Sequence, residues 1–372
     1  MHDNMEKTTI WLVVGIALFC LISVVICLGP VEYAIHSQGR IMLISKLHTD
    51  GKNIEDSSGN IVLLRGVNAG SMESSVTGQW NGAWHWTQAN VQTALDSIRS
   101  WGCNIIRLPI SMEYWLQDAQ GDGSGYRSKI LNLLTWAQSR GIYILIDLQV
   151  TTQSEGQPEL PWSGDYTLQQ FISFWQSVAT ATATYDNALY DLYNEPHPSR
   201  ISDWIPGAQQ ATTAIRAITD NLIVVMFGWD GDLTWVSANQ ITGGNIVYSG
   251  HLYRHWGHFP KNATGYYIYT YNDIKQTLVS YDWTYVSDTL NLPIVCAELG
   301  MFVSDDSNPS KPYGVGNEGL WFQNLQQLLN DWNLSYIAWQ WRRGPSESDT
   351  GLLSAYPGTP NFYGQYFING LA

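Results

Sequence analysis

The chain is poor in charge, and poorest in positive charge. Lys and Arg together number 18 against 32 Asp and Glu in 372 residues, a formal net charge of −14. Nothing here builds a basic face that could follow a phosphate backbone, so the sequence argues against a nucleic-acid partner. With only 13% of residues charged, a neutral partner is the better fit. Cysteine is scarce too. Cys20 and Cys27 fall in an apolar stretch near the amino terminus, and Cys103 and Cys296 sit in apolar segments far apart. That spacing gives neither a disulfide framework nor a metal-ligand set, and buried free thiols are expected. His85, His255 and His258 lie in predicted loops without a convincing carboxylate partner, so no metal site is expected. A glycine-rich phosphate loop is also missing. RGVNAGSMESS follows the first predicted strand without dinucleotide spacing, and no strand end carries a lysine of the kind an aldolase barrel needs. No cofactor is expected.

Aromatic residues are what the chain has in excess, with 18 Trp and 21 Tyr. Many must be core, because large rings dominate packing. Rigid flat rings also suit stacking on the apolar faces of sugars. Residues 8–31 carry no charged side chain, and 10–28 is almost wholly apolar. A run of that length can cross a bilayer as a helix; a cleaved signal peptide would have a shorter apolar region and a small-residue cleavage site. The expectation is an uncleaved transmembrane anchor over 1–31, a stalk over 32–46 and a catalytic domain over 47–372. Lys7 on one side and Arg40 and Lys46 on the other leave orientation poorly specified. Asn262 and Asn333 begin Asn-x-Ser/Thr sequons, which matter only in a secretory host.

Beyond a predicted hairpin turn at Gly59–Asn60, eight short apolar runs recur, at 61–68, 104–110, 143–149, 189–195, 222–227, 246–253, 293–298 and 336–341. Amphipathic stretches separate several of them. Val91, Leu95, Ile98 and Trp101 mark one helical face, with Thr87 placed to cap it. Ile130, Leu133, Leu134 and Ala137 mark a second, closed by Gly141; Phe171, Phe174, Trp175 and Val178 mark a third. The fifth unit is compressed, with room only for a short helix over 233–239. Strands alternating with helices imply parallel pairing with right-handed crossovers, and eight such units close into a (β/α)8 TIM barrel. An open doubly wound sheet is the alternative.

In a barrel the strand ends converge on one mouth: Asn68, Arg107, Gln149, Asn194 with Glu195, Trp229, His251 with Tyr253, Glu298, and Trp339 with Trp341. In LYDLYNEPH, Pro196 stops the strand just after Glu195, and PIVCAELG ends another strand on Glu298. Either Glu alone fits an ordinary strand exit. Two on different strands, amid Arg, Asn, His, Tyr and Trp, fit the carboxylate pair of a glycosidase. Trp84, Trp86, Trp162, Trp229 and Trp256 follow predicted strands and are candidates for core packing or for an extended sugar cleft.

Six segments, RGVN at 65–68, NIIRLP at 104–109, LYNEPH at 192–197, YSGHLY at 248–253, AELG at 297–300 and AWQW at 338–341, resemble in order the signatures of glycoside hydrolase family 5, the cellulase clan of retaining (β/α)8 glycosidases. The resemblance covers roughly 47–367, and SESDTGLL at 346–353 is similar to the loop after the eighth strand in bacterial endoglucanases of that family. It implies Glu195 as acid/base and Glu298 as nucleophile. It further implies Asn194 on the sugar 2-hydroxyl, Arg107 beneath Glu298, Tyr253 donating to Glu298, His251 beside Glu195, and Trp339 as the aromatic floor. Trp341, two residues along the same strand, is the rival for that floor. One position departs from the family pattern: Gln149 stands where it has His, able to bond a hydroxyl but not to titrate. The implied function is an endo-β-1,4-glucanase acting on a β-linked polysaccharide, a monomer, anchored to the membrane and facing outward, or secreted where the amino-terminal segment is cleaved. A mannanase, xyloglucanase or β-1,3-glucanase on the same scaffold is the nearest alternative. A noncatalytic carbohydrate-binding protein is the alternative of another class.

Overall fold

The computed structural model describes residues 44–77, 87–121, 123–254, 259–261, 268–301, 318–343 and 350–371. The proposed anchor at 8–31, with Cys20 and Cys27, lies outside the described residues, as do Trp84, Trp86, Trp256, His85, His255, His258 and Asn262. Among the described residues no helix is long and apolar enough to cross a membrane.

The chain enters as a hairpin of β1 (His48–Asp50) and β2 (Asn53–Glu55), turned at Gly51 with φ 54°. The expected turn at Gly59 follows directly, with φ 78°, and brings Ile61 back beside Glu55. The earlier turn was not anticipated. Eight strands then close a barrel: β3 (Arg65–Asn68), β4 (Ile105–Ser111), β5 (Tyr143–Val150), β6 (Ala188–Asp191), β7 (Ile223–Met226), β8 (Ile246–Tyr253), β9 (Ile294–Gly300) and β10 (Ser335–Ala338). Each lies parallel to its neighbours, and β10 pairs with both β9 and β3. The open doubly wound sheet is therefore excluded.

Helices form where the apolar period is 3.6 and the caps are right. In α1 (Gln88–Ser100) the Thr87 hydroxyl accepts the Asn90 amide, and Val91, Leu95 and Ile98 are buried. After α2 (Met112–Gln117), α3 (Tyr126–Gln138) buries Ile130, Leu133, Leu134 and Ala137, and Gly141 at φ 68° turns the chain into β5. In α4 (Leu168–Thr182), Thr167 and Gln170 make a reciprocal capping box, and Phe171, Phe174, Trp175 and Val178 face inward. The compressed fifth unit holds only a 3-10 turn over Val236–Ala238.

Inside the barrel, the strands' period of two sorts side chains into layers. Ile105, Leu145, Leu189, Val224, Val247, Val295 and Ile337 form an apolar floor with Leu47, Ile54 and Leu64. Two residues further along three of these strands, the same inward register carries Arg107, Asp147 and Asp191, all buried. The barrel is thus filled by apolar side chains at the hairpin end, and its polar layers start below the mouth.

Candidate active site

Arg107 is the centre of the first polar layer, and each of its three guanidinium nitrogens donates a hydrogen bond. Nε donates to Asp191 Oδ2 at 2.8 Å. Nη1 donates to Glu298 Oε1 at 2.6 Å and to Asn68 Oδ1 at 3.1 Å. Nη2 donates to Asn194 Oδ1 at 2.9 Å and lies 2.9 Å from Asp147 Oδ1. A guanidinium has five donors in a rigid plane, so it can register five groups at once where an ammonium could not. One buried cation faces three buried carboxylates. Burial, ahead of the pull of Arg107, pushes Asp147 well above the ordinary carboxylate range and raises Asp191 as well.

Glu298 reaches this layer through a local irregularity. Val295 and Ala297 already face the barrel interior, so strict alternation would turn Glu298 outward. The β8–β9 register slips, with Gly250 opposite Cys296 but His251 opposite Glu298, leaving Ala297 as an extra residue. That bulge re-aims Glu298 inward. Its other oxygen, Oε2, accepts from the Tyr253 hydroxyl at 2.7 Å. Only 5% of the side chain is exposed. Burial lifts its pKa above the usual range, and His251 and Arg107 pull it back.

Glu195 arrives from the opposite wall. β6 ends at Asp191, earlier than expected, because the chain leaves the ladder to turn. Glu195 itself adopts φ 48°, a left-handed conformation that a residue with a Cβ holds only when its surroundings compel it. Its Oε1 lies 2.8 Å from His251 Nδ1, and 22% of its side chain is open to solvent. Burial raises its pKa to about 7, with Arg107 opposing and Asp230 assisting. Burial also pulls the His251 ring down to about 3, so His251 is neutral at working pH. A neutral ring has one N–H: carried on Nδ1 it donates to Glu195, and carried on Nε2 it leaves Nδ1 to accept from the protonated carboxyl. One ligating atom each of Glu195, His251 and Glu298 lies within 4.8 Å of the others. The trio has metal-binding composition, but both Glu298 oxygens already accept hydrogen bonds, one from a guanidinium that would repel a cation. The arrangement instead pairs a carboxyl poised to give up a proton near neutrality with a carboxylate held by a fixed positive charge.

Of the other expected residues, Asn194 is buried between Arg107 and Gln157, whose Oε1 accepts from Asn194 Nδ2 at 2.9 Å. Gln149, next to last in β5, has a buried Oε1 with no hydrogen-bond partner. Trp339 is half-buried just beyond β10. Trp341 does not share its face. β10 stops at Ala338, so period-two alternation does not reach residue 341, and Trp341 is fully buried edge-on to Trp101, with centroids 4.6 Å apart. It has no surface to offer a sugar. Trp229 is exposed, edge-on to His197 at 4.4 Å, whereas Trp162 stacks on Trp204 in the core. Asp147, Asp191 and Gln157 were not anticipated. The two aspartates had a signal, since ILIDLQV and LYDLYNE each place an Asp in the inward register among apolar residues. Gln157 had none.

The family description "Cellulase (glycosyl hydrolase family 5)" matches residues 56–344. An endoglucanase of Paenibacillus polymyxa is 26% identical over 353 residues, covering 82% of this chain and 81% of that protein. The major extracellular endoglucanase of Xanthomonas campestris is 28% identical over 230 residues, covering 55% of this chain and 44% of that one, so the chain spans less than half its length. The solved structure of a hyperthermophilic endocellulase from the archaeon Pyrococcus horikoshii superposes with a TM-score of 0.71 at 19% identity, covering 88% of this chain and 98% of that one. At that identity the likeness is one of fold.

Proposed function

Because the chain belongs to glycosyl hydrolase family 5 and is a glycoside hydrolase, we propose that it cleaves internal β-1,4 bonds of cellulose-like glucans with retention, Glu195 serving as acid/base and Glu298 as nucleophile. The observation that carries the reading is the separation of the two carboxylates, with one oxygen of each within 4.8 Å of the other. A retaining pair needs about 5 to 5.5 Å, whereas an inverting pair is held further apart to admit a water. Endoglucanase names among the relatives supply the substrate class.

In the first step Glu298 attacks the anomeric carbon while Glu195 protonates the departing glycosidic oxygen, giving a glycosyl ester and an ionised Glu195. Ester formation removes the Glu298 charge, so one negative group fewer opposes Arg107, which favours the ionised Glu195. Glu195 then takes a proton from water as that water attacks the same carbon and frees Glu298. The second Nδ2 hydrogen of Asn194 meets the sugar 2-hydroxyl, Gln149 bonds a neighbouring hydroxyl, and Trp339 forms the floor. Residues 8–31, without charge, hold this module outside the membrane. The test is a time course of product lengths and anomeric configuration from carboxymethyl cellulose, barley glucan and mannan. Short cello-oligosaccharides released early in the β form support the reading. The α form, or turnover of mannan alone, refutes it.

A further inference from the structure

We propose that Gln157 is a positioning residue that holds the acid/base in its left-handed turn; the inference rests on Glu195 acting as described above. β5 ends at Val150, and the chain then folds back tightly. The Thr151 amide donates to Gly156 O at 3.0 Å, the Gly156 amide donates to Thr152 O at 2.9 Å, and Gly156 takes φ 66°. That reversal lays residues 157–159 along the Asn194–Glu195–Pro196 turn. Gln157 Nε2 donates to Asn194 O at 2.8 Å and to Glu195 O at 3.3 Å. The Tyr193 hydroxyl donates to Pro158 O, and the His197 amide to Glu159 O at 3.0 Å. Pro158 confines Gln157 to an extended backbone. The left-handed Glu195 is thus bracketed by three successive residues of one neighbouring loop.

The carbonyls of Asn194 and Glu195 are the ones that the ladder no longer serves once β6 has ended. Gln157 satisfies both with one amide group, and its Oε1 separately fixes the Asn194 side chain. Asn194 has a second hold, since Arg107 also grips its Oδ1. Glu195 has no such substitute on its backbone among the described hydrogen bonds. Loss of the Gln157 N–H donors therefore relaxes the carboxyl that must deliver a proton, and spares the nucleophile.

That asymmetry sets the test. Gln157→Glu keeps an acceptor for Asn194 but loses both N–H bonds; Gln157→Leu loses all three. Both variants and the wild type are assayed for kcat/KM on cellotetraose, whose leaving group needs the proton, and on 2,4-dinitrophenyl β-cellobioside, whose leaving group does not. Both variants are expected to lose about tenfold or more on cellotetraose and less than about twofold on the activated substrate. Equal loss on both substrates, or no loss on either, overturns the proposal, as would two variants that fail to fold by circular dichroism. A wild type inactive on both substrates fails the reading of the site itself, which separates the two outcomes.

Discussion

Replacing Glu195 by Gln should make the protein more stable at neutral pH while abolishing turnover of unactivated glucans. The folded protein lifts Glu195 from an ordinary 4.5 to about 7, chiefly by burial. Between those values the folded chain binds a proton that the unfolded chain has released, so wild-type stability falls as pH rises through the window. At about 1.4 kcal/mol per pKa unit the full effect is about 3.5 kcal/mol. Because 22% of the side chain is solvated, water relieves part of it, and about 2 kcal/mol is the expected gain. Gln keeps the shape, and its carbonyl can still accept from His251 Nδ1. Removing the Glu195 charge also eases ionisation of Glu298, whose pKa it raises, and this acts in the same direction. The assay is thermal unfolding of wild type and Glu195→Gln from pH 4 to pH 8. The two should melt together near pH 4 and separate by about 4 °C near pH 7.5, at roughly 2 °C per kcal/mol for a chain of this size. A difference that does not change with pH, or a variant less stable at pH 7.5, would refute the reasoning.

Activity on cellotetraose should follow a bell in pH. It needs Glu298 ionised and Glu195 protonated, so the acid limb lies above the ordinary 4.5 of Glu298 and the alkaline limb near 7; a rate still rising above pH 8 would contradict it. Arg107→Met leaves the buried carboxylates of Asp147, Asp191 and Glu298 without their cation. It should cost about 3 to 5 kcal/mol in urea unfolding, together with most of kcat. Trp341→Ala empties a fully buried site against Trp101 and should cost about 3 to 5 kcal/mol with little change in KM for the folded fraction. Trp339→Ala should do the reverse, raising KM for cello-oligosaccharides with a stability loss under about 2 kcal/mol, read by the same two measurements.

What could be read in the sequence was whatever depends on periodicity and on local capping. The eight strands and the faces of α1, α3 and α4 follow from patterns of two and 3.6, and the caps of the first two helices from Thr87 and Gly141, whereas the Thr167–Gln170 box went unread. Arg107, Asp147 and Asp191 obey the same alternation, two residues above an apolar layer on their strands. Their inward direction was therefore available, although the aspartates went unread. Trp341 failed for the opposite reason: alternation was extended past Ala338, where the strand had already ended.

The two glutamates depart from alternation, each in its own way. Glu298 faces the barrel only because Ala297 is an extra residue in the β8–β9 pairing. Glu195 lies past the end of β6, in a left-handed turn one residue before Pro196, so the strand's alternation does not aim it. Neither departure is written in the strand carrying it. A bulge is set by the register of the neighbouring strand, and a left-handed Glu persists only where other segments satisfy its backbone. For Glu195 that segment begins at Gln157, 38 residues earlier in the chain, where no local pattern marks it. A rigid strand aims a side chain to one face or the other of the barrel wall. Bringing two carboxylates from opposite walls within 4.8 Å takes finer adjustment than a fixed alternation permits. The irregular backbone at these two positions is accordingly where the two carboxyl groups are brought together, and braces from neighbouring segments hold it there.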